Sequence, residues 1–218
     1  QWKRGLRTMP GGVIKGAYFS NPHPVYVDKA EQCYLWDIDG NKYLDFTNHH
    51  TAMILGHSPP SVIQAINDAI SQGLGLGAPS TLEAEVSEEI VGRFQSIDKV
   101  RFTASGTESS LHATRLARAF TSRPKVAKFE GAYHGHVDAL LVAAGSGAAS
   151  HSVPNSAGVS PDSASKTLIA QYNDIESVKI HFERHSDEIA CVMVEPVSGN
   201  MGVIPPASGF LEELRCIT

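Results

Sequence analysis

The sequence is short of cysteine, of positive charge and of long apolar runs, and each shortage closes a class of function. Cys33, Cys191 and Cys216 are few, widely spaced and odd in number, so neither a disulfide framework nor a paired-cysteine metal site is indicated. Lys and Arg number 18 against 23 Asp and Glu, a formal charge of −5 with no basic block. A nucleic-acid partner is therefore not expected. No stretch approaches the roughly 20 apolar residues of a membrane helix, and no signal-peptide pattern opens the chain. The membrane is not an expected partner, and a reducing, cytoplasmic compartment is the expectation. G-x-S-x-G and Walker A strings are absent, so hydrolase and P-loop readings lack their signatures. What remains is 218 residues, 42% apolar and 19% charged, enough for a globular fold with a substantial core. Gln1 opens the chain and L-R-C-I-T ends it inside an uncapped helical pattern, so a part of the protein is expected to be missing.

Along the chain, alternation at Val25–Val27, Tyr34–Trp36 and Lys42–Phe46, with turn chemistry at D-I-D-G-N, predicts a small antiparallel unit. Residues 1–57 read as an N-terminal α+β segment and 58–218 as the first part of a larger domain. Ser58-Pro59-Pro60-Ser61 starts a helix whose Val62, Ala65, Ile66, Ala69 and Ile70 mark one buried face. Gly73, Gly75 and Gly77 follow; with no strand before them they read as a loop rather than a phosphate cradle. Ser80 or Thr81 caps the next helix. From Val100 onward strands at Val100–Ala104, Lys125–Phe129, Thr167–Ala170 and Ile189–Val194 alternate with helices at Glu108–Phe120, near His136–Leu141 and at Asp174–Arg184. The fold class is thus α/β, a mostly parallel sheet flanked by helices. Ligands of such sheets collect at the C-terminal strand ends, where Ser105, Tyr133 and Glu195 all fall.

Ser105-Gly106-Thr107 sets two hydroxyls and successive N–H groups at a helix start, which serves a phosphate or a plain N-cap equally well. Tyr133 offers a flat face for stacking. His134, His136 and Asp138 invite a metal reading, but no third ligand cluster stands at a recognised zinc spacing, so no metal is expected. His49 and His50 follow a strand and read as packing residues or as part of a site. Glu195 at an apolar strand end needs a partner, whether a salt bridge, a cap or a ligand. Residues 143–161 form a long Gly/Ala/Ser/Pro loop without periodicity.

The string as a whole resembles the class III pyridoxal-phosphate aminotransferases of fold type I, and among them the glutamate-1-semialdehyde aminomutases. The resemblance rests on W-D-I-D-G-N-K-Y-L-D-F (36–46), M-I-L-G-H (53–57), G-A-P-S-T-L-E (77–83) and V-R-F-T-A-S-G-T-E (100–108). It continues through K-F-E-G-A-Y-H-G-H-V-D (128–138), A-G-S-G-A (144–148), Y-N-D (172–174) and V-E-P-V-S-G-N-M (194–201). It implies pyridoxal 5'-phosphate or pyridoxamine 5'-phosphate as cofactor, a homodimer, and a small amino acid or amino aldehyde as substrate. Ser105, Gly106 and Thr107 would hold the phosphate; Tyr133 would stack on the ring, with His134 beside it; Glu195 and Asn200 would lie near the ring and its 3'-oxygen. Ser146 would belong to a loop closing over substrate. The family's Schiff-base lysine and the aspartate facing the ring nitrogen are expected beyond Thr218, so these residues alone should be inactive. Two departures bear on substrate. Where the aminomutases read N-S-P-V-R the chain has Ile14-Lys15-Gly16-Ala17-Tyr18, and where they carry S-W-G-P it has His49-His50-Thr51-Ala52. Lys15 is then the candidate cation for a carboxylate, a point charge in place of a fork. A class III aminotransferase acting on another amine is the alternative, and a non-catalytic relative the further one.

Overall fold

A computed structural model describes residues 1–142 and 158–218. The described chain divides into two compact units, Gln1–Lys99 and Val100–Thr218. The sequence boundary at 57/58 differs from this division, because helical periodicity locates a helix without saying which body it accompanies.

In the first unit a single helical turn, α1 (Trp2–Gly5), precedes three short strands: β1 (Val27–Glu31), β2 (Tyr34–Asp37) and β3 (Lys42–Leu44). They form an antiparallel meander in the order β1-β2-β3. Asp37 makes the β2–β3 turn: its carboxylate accepts from the N–H groups of Asp39 and Asn41, the Asn41 amide and the Tyr43 hydroxyl, at 2.7–3.0 Å. Lys42 lies over the Tyr34 ring at 3.7 Å. Two helices follow, α2 (Pro60–Gln72) and α3 (Thr81–Arg93). Proline starts α2, and of the two caps expected for α3 it is Ser80 that stands at the N-cap, its N–H donating to Glu83 Oε2 at 3.2 Å. The apolar stripe of α2 corrects the expectation of a buried face. Val62, Ile63, Ile66 and Ile70 are all exposed; an apolar stripe specifies a side that calls for cover, not an element that covers it.

The second unit is built on a parallel sheet. Its members are β4 (Lys125–Phe129), β5 (Thr167–Ala170) and β6 (Ile189–Met193), in the order β5-β4-β6. The central strand pairs Val126 with Thr167 on one side and Ala127 with Val192 on the other. Helices α4 (Gly106–Thr121), α5 (Pro161–Ser165), α6 (Ile175–His185) and α7 (Phe210–Ile217) accompany it. Phe129, Ala132, Ala170, Val178, Phe210 and Leu214 form the core, with Phe129, Tyr172 and Phe210 meeting edge to face at centroid distances of 5.3–5.6 Å. Two expectations need correction. Val100–Ala104 is not a strand, because no ladder partner among the described residues takes its backbone groups. The helix expected near His136–Leu141 is a single 3-10 turn at Asp138–Leu140.

Candidate functional site

The site is assembled at the start of α4. Ser105 is its N-cap, with Oγ accepting from Glu108 N at 3.2 Å while Glu108 Oε2 accepts from Ala104 N at 2.7 Å. The plain capping role of Ser105 is therefore real, and its hydroxyl proton is still free to donate. The N–H groups of Gly106 and Thr107 have no acceptor among the described residues. Two backbone donors at the positive end of a four-turn helix are thus left without acceptors, the arrangement an anion needs.

The loop after β4 is bolted to this helix start. Thr107 Oγ1 accepts from His136 N at 3.1 Å. Gly135 has φ +81°, and a Cβ there would stand 2.8 Å from Thr107 Cα; only glycine fits this approach. A second bolt reaches the segment after β6. Glu195 accepts from Tyr133 N and from Gly199 N, each at 2.9 Å. Its carboxylate therefore spans two loops, which is the partner that the sequence said it needed. The Tyr133 ring is partly exposed and packs edge to face on His136 at 5.8 Å. Tyr172 donates its hydroxyl to Pro196 O at 2.9 Å, and its pKa is raised by burial and by the Glu195 charge.

His134 Nε2 is buried and has no hydrogen-bond partner among the described residues. Burial, and then the Lys128 charge, lower its pKa against the pull of Glu195, so the imidazole is neutral near neutral pH. The open helix N–H groups suit a phosphate, and the orphaned ring nitrogen, on the loop whose His136 N is bonded to Thr107, suits a further polar substituent. The donor set fits pyridoxal phosphate in that sense.

Of the residues named from sequence, Ser105, Gly106, Thr107, Tyr133, His134 and Glu195 fall in this one constellation. Asn200 follows the Glu195–Gly199 bond on an exposed turn and makes no side-chain hydrogen bond among the described residues. Ser146 lies outside the described residues. Lys15, His49 and His50 gather in the first unit: Lys15 Nζ lies 5.7 Å over the Tyr18 ring, which stacks on His50 at 6.3 Å, with His49 6.3 Å further. His49 and His50 sit in a left-handed run, Asn48–Thr51, with φ of 48–68°. Among the described residues no group of three His, Cys, Asp or Glu side chains gathers as metal ligands do, and no helix is long and apolar enough to cross a membrane.

Sequence reasoning missed Lys128. It sits next to the last residue of β4, fully buried, and donates to the carbonyls of Ala132, Leu140 and Val142 at 2.9, 2.9 and 3.0 Å. A lysine inside a strand expected to be covered on both faces was the available signal.

Residues 17–218 match the family described as aminotransferase class III. Glutamate-1-semialdehyde 2,1-aminomutase 2 of Listeria monocytogenes is 46% identical over all of this chain and 51% of its own length. The crystal structure of an omega-transaminase from Sphaerobacter thermophilus superposes with a TM-score of 0.92 at 34% identity, covering 100% of this chain and 51% of that one. A transaminase with pyridoxal phosphate bound gives 0.91 at 36% identity, covering 99% of this chain and 51% of that one. The chain spans about half the length of the curated relatives it matches.

Proposed function

Since the chain belongs to the class III aminotransferases, we propose that its second unit holds pyridoxal phosphate and that the complete protein shifts an amino group between neighbouring carbons of glutamate-1-semialdehyde. The observation that carries the cofactor reading is the double bolt at α4. Open N–H groups, the orphaned His134 nitrogen and the Tyr133 ring are held together by Thr107–His136 and Glu195–Tyr133. When bound, the cofactor supplies an electron sink for amino transfer.

The chain's own residues bind and orient. Gly106 and Thr107 N–H, with the hydroxyls of Ser105 and Thr107, take the phosphate. Tyr133 lies against the ring, and neutral His134 offers Nε2 to a ring substituent. Glu195 fixes the backbone beneath Tyr133 and holds the turn that carries Asn200. Lys15, with His49 and His50, is proposed to bind the acidic end of the substrate, and Ser146 to act at its entry. The covalent lysine anchor is placed outside these residues, so the 218 residues alone are expected to be inactive. The complete protein is proposed to work as a cytoplasmic homodimer, with neither nucleic acid nor membrane as partner.

A second reading, an aminotransferase for another amine, is favoured by Tyr18 standing at the position of the aminomutases' arginine, which leaves Lys15, a point charge three residues earlier, in place of a bidentate clamp on a carboxylate. The test is to give the complete holoenzyme glutamate-1-semialdehyde with no amino acceptor. Isomerisation of the single substrate supports the aminomutase reading; turnover only with an added keto acid supports the aminotransferase. Absence of any bound cofactor would sink both.

A further inference from the structure

We propose that Lys128 is a positioning residue, its ammonium tying segment 132–142 to the central strand and so holding Tyr133 and His134 in place. The inference rests on the cofactor reading for its functional consequence but not for its structural content. Three carbonyls meet one ammonium: Ala132 O at the near end of the segment, Leu140 O and Val142 O at the far end. They match the three N–H donors of a protonated lysine one for one. The segment between them makes the outward contacts already described, Tyr133 N to Glu195 and His136 N to Thr107. Thr167 Oγ1 adds a fourth hold, donating to Ala139 O at 2.6 Å. The loop is therefore closed from inside by Lys128 and bolted from outside by Glu195 and Thr107.

Burial lowers the Lys128 pKa to about 8, with Glu195 pulling it back up. A lysine of depressed pKa is the usual profile of a nucleophilic amine. Here all three donors are engaged and the side chain is wholly enclosed, so the geometry assigns a tie and not a covalent anchor.

The experiment uses the complete protein. In the wild type, the amides of Tyr133, His136, Leu140 and Leu141 are expected to exchange hydrogen as slowly as those of β4, because the segment opens only when the strand does. Exchange about a hundredfold faster than the β4 ladder overturns the proposal, and this comparison requires no variant to fold. In Lys128→Met the segment is expected to lose protection about tenfold or more relative to the ladder, since buried carbonyls are left unsatisfied. Equal change in both regions, or change in neither, overturns it. Lys128→Met is also expected to weaken cofactor retention about tenfold and to flatten the visible circular dichroism of bound pyridoxal phosphate. Lys128→Arg, which keeps charge and donors, should recover part of both. Borohydride reduction followed by peptide mapping should place the cofactor on a lysine other than Lys128; an adduct on Lys128 overturns the assignment. Failure of the wild type to bind the cofactor removes the function proposed above and leaves the exchange comparison to judge the tie.

Discussion

Asp37 and Lys128 are both buried charges answered by groups without a full opposite charge, one in each unit, and they are answered unequally. Asp37 accepts four hydrogen bonds, and its side-chain bonds to Asn41 and Tyr43 lead in lowering its pKa from 3.8 to about 2. Its surroundings therefore prefer the anion. Lys128 has three carbonyls, and burial still drags its pKa from 10.5 to about 8. Its surroundings tolerate the cation at a cost, on the order of 3 kcal/mol. The first charge helps its turn to form. The second opposes its own burial and gains a closed loop, which is what a site needs and a core does not.

The largest effect should come from removing packing. Phe129→Ala, next to Lys128 on β4 and in contact with Tyr172 and Phe210, is expected to cost about 3–5 kcal/mol in denaturant unfolding of the complete protein. Lys128→Met should come next, at about 3 kcal/mol, because three carbonyls lose their donor, those of Ala132 and Leu140 in buried bonds. If it costs more than Phe129→Ala, polar ties outweigh the apolar core here. Gly135→Ala should follow at about 2 kcal/mol, from positive φ and the clash with Thr107, with cofactor affinity falling in step by titration. The smallest effect separates the charges by pH. The stabilisation from Asp37 is fully present above about 3.8 and is lost as pH falls through about 2. Lys128 has the opposite sign: its cost is fully present below about 8 and is relieved as pH rises toward 10.5, where the unfolded chain binds the extra proton. An acid titration of Trp36 fluorescence in wild type and Asp37→Asn, and alkaline unfolding of wild type and Lys128→Met, measure the two limbs.

The asymmetry also explains what the sequence made legible. Every partner of the Asp37 carboxylate lies within six residues, so D-I-D-G-N could be read as a turn. The N-cap Ser105, the proline start of α2, the capping box of α3 and strands β4 to β6 are likewise local signals. The partners of Lys128 lie up to 14 residues away, and the Glu195–Tyr133 bond spans 62. Periodicity carries no record of such closures. Val100–Ala104 failed as a strand for the same reason, since apolar residues specify a buried side and only a neighbour makes a ladder. Tyr133 and Glu195 could be placed just past strand ends and Ser105 at a helix start, but the two bolts that join these segments could not.

The left-handed run Asn48–Thr51 carries a consequence for protein engineering. Four successive L-residues at φ of 48–68°, one of them β-branched, hold the backbone where glycine alone is comfortable. Thr51→Gly or His50→Gly should raise melting temperature by relieving up to about 1 kcal/mol each. A library sorted only for heat tolerance would enrich such changes, and the imidazoles beside Tyr18 would be discarded by a screen that never assayed turnover.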